Sequence, residues 1–118
     1  MNYLPQTTQD MISELLVGMP PYIQDAFAEY DWQEQTVRIA AKHRLGDDQR
    51  LRLLVETALV LLGMEEPSLY AQALVNHLGI SKEKADALAL EVAERVINGM
   101  QAFILEQNRD VIQAMQSE

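Results

Sequence analysis

Residues 47–63, DDQRLRLLVETALVLLG, decide the fold. From Leu53 to Leu62 this stretch is apolar on nearly every side of a helix, interrupted by Glu56 and Thr57. A helix apolar all round is a buried central one, so its neighbours must surround it. The segment is too short to cross a bilayer, which takes about 20 apolar residues. Asp47 or Asp48 is placed to cap its start, and Gly63 to stop it.

Working outward, the chain reads as helices punctuated by Gly and Pro. Upstream, Thr7 and Thr8 can cap a helix bearing Met11, Ile12, Leu15, Leu16 and Met19, which Gly18, Pro20 and Pro21 end. Pro21 suits the first turn of a short helix to about Glu29. Asp31 with Glu34 has the form of a capping box opening a third helix that runs to Arg44. Downstream, Pro67 opens a fifth helix that Gly79 closes, and Ser81 caps a sixth with Ala85, Leu88, Val92 and Val96 on one face. The helical pattern continues beyond Gly99. Alternating β-branched runs and Asn-Gly hairpin signals are missing.

The expected fold is therefore all-α, a compact bundle of five to six helices in a single domain, 1–118. Its parts are an N-terminal helix (1–19), a first helical unit (20–66), a second helical hairpin (67–100) and a C-terminal helical extension (101–118). A repeat at an offset of 35 residues sets Ile39, Leu53, Glu56 and Leu62 on Leu74, Leu88, Glu91 and Ile97. Such units stack because neither buries its apolar face alone, although helical periodicity by itself also generates matches of this kind.

Charge is unevenly spread along a chain of net −9: residues 1–35 hold six acids and no base, and only 36–52 is locally basic. An acidic chain repels phosphate backbones and anionic lipid, which argues against nucleic-acid and membrane partners. The absence of cysteine excludes disulfides, thiolate chemistry and cysteine-ligated metals, and fits a reducing compartment, the cytoplasm. Residues 1–10 lack the basic and apolar runs of a secretory signal.

No catalytic template is met, so a non-enzymatic protein is expected, with no cofactor and no metal. The glycines form neither a dinucleotide fingerprint nor a P-loop. His43 and His77 lack metal-ligand spacing and fall in last helical turns, where a cation satisfies free carbonyls, so both are read as caps. Glu65 and Glu66 ahead of Pro67 are read as caps as well. Glu56 differs, since a carboxylate in an apolar helix needs a partner or a proton; Arg38, Lys42 and Arg95 are candidates, and a ligand pocket beside it is a third functional reading.

Two readings lead. Tyr22, Phe27, Tyr30 and Trp32 hold four of the seven aromatics within eleven residues, and Ile104, Leu105, Val111, Ile112 and Met115 lie beyond the repeat in need of cover. Together they are the candidate interaction surface of a self-associating protein-interaction or scaffold module, binding another copy or a different protein. The alternative is a nucleic-acid-binding regulator using residues 71–95, because 71–90, AQALVNHLGISKEKADALAL, resembles a helix-turn-helix. Its exposed residues, Lys82, Glu83, Lys84, Asp86, Glu91 and Glu94, are balanced to acidic, which opposes DNA. This second reading predicts a contiguous surface of Arg38, Lys42, Arg44, Arg50, Arg52, Lys82 and Lys84.

The order IQDAF (23–27), YDWQEQTVRIAAKHRLGDDQ (30–49), LVETALVLLGMEEPSLYAQAL (54–74) and LGISKEKADALALEVAERVI (78–97) resembles a group of small all-helical proteins from genome-reduced, ultra-small bacteria. The likeness spans about residues 21–105 and departs at Ile97 to Met100, where the group carries Phe or Tyr. It implies a helical fold type and no activity.

Overall fold

The computed structural model describes residues 3–116, with the side chains of Val111, Ile112, Met115 and Gln116 outside that description. The chain is all-α, and no strand occurs among the described residues. Its helices are α1 (Gln6–Val17), α2 (Pro21–Glu29), α3 (Trp32–Lys42), α4 (Asp47–Leu61), α5 (Pro67–Leu78), α6 (Lys82–Val92), α7 (Asn98–Gln107) and α8 (Arg109–Gln116). A π turn, Ala93–Ile97, joins α6 to α7, so the two make one continuous rod. Five helices plus this rod, with α8 as a short extension, match the expected bundle. No helix among the described residues is long and apolar enough to cross a membrane.

Helix α4 is central, as its composition requires. It packs on both α3 and α5, α5 packs on α6, and α3 closes the ring against α6 and the π turn. Leu53 and Leu54 are fully buried, as are Leu74 and Leu88 across from them. Burying such side chains contributes about 1.5–3 kcal/mol each. Leu59 is only partly buried, so Leu54 is the more central of the two. Two polar side chains inside α3 and α4 are tied to their own helices: Thr36 Oγ1 donates to the Trp32 carbonyl, and Thr57 Oγ1 to that of Leu53, each at 2.7 Å.

Outside the ring, α2 packs on α7, and α1 on α2. Phe27 and Trp32 meet edge to face, centroids 5.4 Å apart, beneath Leu4 and Ile12. Helix α8 has its main packing on α7, and the molecule is elongated, 50 × 30 × 23 Å.

Helix starts show how context overrides local signals. Ser81 caps α6 as expected, accepting from Lys84 N–H at 3.2 Å. At α4, Gly46 holds the cap position instead of either aspartate, and Gln49 reaches back to its N–H at 2.9 Å. The Asp31 capping box does not form, because Asp31 Oδ1 accepts from Gln35 Nε2 instead. Helix α1 starts one residue before Thr7, with Pro5 at the cap. Gly79 ends α5 in the left-handed region, which glycine tolerates without steric cost.

In the π turn, Asn98 N–H donates to the Ala93 carbonyl five residues back, and the Tyr30 hydroxyl donates to the Arg95 carbonyl at 2.9 Å. The Tyr30 ring lies where a Gly99 side chain would be, and a Cβ there would overlap the hydroxyl.

Candidate functional site

The two hairpins, α3–α4 and α5–α6, exchange one pair of contacts. His43, at the end of α3, reaches Glu91 on α6, with Nε2 2.9 Å from Oε1. His77, at the end of α5, reaches Glu56 on α4, its Nδ1 paired with Oε1. Glu56 and Glu91 are repeat equivalents, and the histidines stand at nearly equivalent places, so each hairpin offers its histidine to the other's glutamate. The two contacts are thus reciprocal between the hairpins.

These contacts correct the reading of both histidines as caps, because their rings serve acids on another helix. They also correct the partners expected for Glu56. Arg38 pairs with Glu34 at 2.9 Å and Lys42 with Glu91 at 2.9 Å, while Glu56 is held by His77.

Around Glu56 the chemistry is dense. Glu56 is only 5% exposed. Glu65, expected to cap α5, turns inward from the α4–α5 connection, while Glu66 occupies the cap position. Burial pushes the Glu65 carboxyl up to about 7, aided by its hydrogen bond with Glu56 and repulsion from that group, and opposed by His77. Glu65 Oε2 is a buried oxygen with no hydrogen-bond partner among the described residues. Tyr70 stands behind them, its hydroxyl 2.7 Å from Thr57 Oγ1, and burial holds its phenol well above the usual range. A cavity of about 330 Å³ opens beside this cluster, with Thr8, Arg52 and His77 among its walls. The pocket beside Glu56 is therefore present. No group of three or more His, Cys, Asp or Glu side chains among the described residues could hold a metal ion.

The second pair is electrostatically the reverse. Glu91 accepts from Lys42 and His43, and both hold its carboxyl below the usual range. It borders a groove of about 260 Å³ with Arg38, Lys42 and Arg95 around an Ile39 floor.

The expected interaction surface divides. Phe27 and Trp32 are core residues, 8% and 2% exposed, and cannot serve as anchors for a partner. Tyr30 is half-buried and spends its hydroxyl on the Arg95 carbonyl. Tyr22 and Leu105 are exposed, and Ile104 is half-buried. Tyr22 on α2 joins Phe103 and Ile104 on α7 in one recess of about 140 Å³, with Asp25 and Glu29 on its α2 side. Val111, Ile112 and Met115 lie outside the described side chains. For the regulator reading, Arg50 is drawn to Asp47 at 3.8 Å and Arg52 donates to the His77 carbonyl at 3.1 Å, so both are partly engaged within the fold.

Sequence reasoning missed Glu65, Glu91 and Tyr70 as members of sites. For Glu91 the signal was present, since the repeat pairs it with Glu56. The chain matches no family model, no curated protein and no solved structure in the comparisons made.

Proposed function

We propose that this domain is a non-enzymatic protein-interaction module that assembles with copies of itself, docking through the α2–α7 end. The supporting observation is the recess that joins Tyr22 to Phe103 and Ile104, with Leu105 exposed on the same helix. Aromatic side chains at the edge of a recess are the usual anchors of interfaces. Helix α8 extends this end beyond the bundle, and its pattern of Val111, Ile112 and Met115 at helical spacing suits it to lie against a partner. The cysteine-free, acidic composition suits a cytoplasmic setting.

Light scattering on the full chain and on a chain ending at Gln107 tests this reading. A multimer that becomes monomeric on truncation supports docking through α8. A multimer in both supports docking through the recess. Monomers at every concentration in both would overturn self-association.

A further inference from the structure

The recess and the groove carry opposite charge in matching arrangements. Asp25 and Glu29 are four apart on α2, so they share one helix face, and among the described residues neither makes an ion pair. Arg38 and Lys42 are four apart on α3 and line the groove with Arg95, which likewise makes no ion pair among the described residues. The Arg38–Glu34 pair is solvent-exposed on both sides, and such surface pairs are weak enough to be exchanged. In a chain of net −9, this groove is locally basic, its three cations outnumbering the one acid of its lining, Glu91.

Both patches also lie along one rod. Groove residue Arg95 lies near the middle of the rod and recess residue Gln107 at its end, about three helical turns away. A second copy laid antiparallel along the rod brings acids to groove at one end and groove to acids at the other. The contact closes on itself as a two-fold dimer instead of growing into a filament.

We propose that the α3–π-turn groove is the docking site for the acidic α2 face of a second copy of this chain, making an antiparallel dimer. This rests on the self-association reading above and names its complementary surface. Electrostatic pairing of this kind sets register and partner choice, and it weakens with salt.

The test uses two charge-reversed full-length variants, Arg38→Glu with Arg95→Glu, and Asp25→Lys with Glu29→Lys. All four positions are exposed, and circular dichroism checks that each variant is folded. In low salt, the unaltered chain is expected at twice 13.4 kDa by light scattering, and each variant alone at 13.4 kDa, its association weakened at least tenfold. Mixing the variants in equal amounts should restore the dimer, because each reversed patch then meets its complement. A misfolded variant could not give that rescue. If both variants dimerise as well as the unaltered chain, or the mixture stays monomeric, the groove is not the docking site, while self-association still stands. An unaltered chain that is monomeric at all concentrations would sink both readings.

Discussion

The two histidine–glutamate pairs stand at matching places in the two hairpins and have opposite electrostatics. At Glu91 a histidine and a lysine converge on one acid near the surface, and the carboxyl ionises more readily than usual. At Glu56 the acid is buried, and its other neighbour is a second acid, Glu65, whose carboxyl holds its proton up to about pH 7. Matching positions in the two hairpins therefore do not carry the same chemistry. The α4–α5 connection exists in only one copy, and it is what delivers Glu65.

The matched core should show the symmetry most strongly. Leu53 and Leu88 are repeat equivalents and both fully buried, so Leu53→Ala and Leu88→Ala should each cost about 2–5 kcal/mol in chemical denaturation. A cost below about 1 kcal/mol for either would mean that its hairpin is peripheral and the pairing of hairpins is wrong.

The acids should separate the copies. Glu56→Ala removes a buried partner of His77 and should cost about 2–4 kcal/mol, whereas Glu91→Ala, at a half-buried acid whose lysine partner is exposed, should cost about 1 kcal/mol. Equal losses in urea unfolding would erase the distinction.

The two pairs should also fail at opposite ends of the pH scale. Glu65 has a folded value raised above that of the unfolded chain, so its contribution is complete below about pH 4.5 and is lost as pH rises through about 7. Glu91 has a lowered folded value, so its contribution is present above about pH 4.5 and is lost on acidification. Unfolding midpoints measured across this range should fall on the alkaline side in the unaltered chain and not in Glu65→Gln. A persistent alkaline decline in that variant would assign it to another group.

The smallest effect belongs to the π turn. Tyr30→Phe removes the hydroxyl from the Arg95 carbonyl and should cost about 1 kcal/mol, with amide exchange in 93–99 faster than in the unaltered chain. Unchanged exchange there would show that the turn holds itself.

Most of the fold was legible because helix stops are local. Gly63, Pro67, Gly79 and Ser81 act through backbone freedom and capping chemistry, which neighbouring residues do not overrule. Asp31 and Asp47 misled because glutamines nearby made the local contacts instead, Gln35 donating to the Asp31 carboxylate and Gln49 accepting from the Gly46 N–H. The site was less legible. Glu65 reads as a cap beside Pro67, and its inward turn depends on the position of Glu56, earlier in sequence and on the preceding helix. Phe27 and Trp32 look like anchors until α1 is seen to cover them, a contact set by tertiary packing alone.

The π turn also acts as a gear. At about 3.6 residues per turn, one residue more or less in a helix is a rotation of about 100° for everything beyond it. Phe103 and Ile104 face α2 because the extra residue in 93–97 has set that angle. A chain shortened by one residue there would keep both hairpins, yet α7 would present a different side to α2. Surface identity at this end is thus a matter of phase, adjustable by length without changing any side chain that forms it.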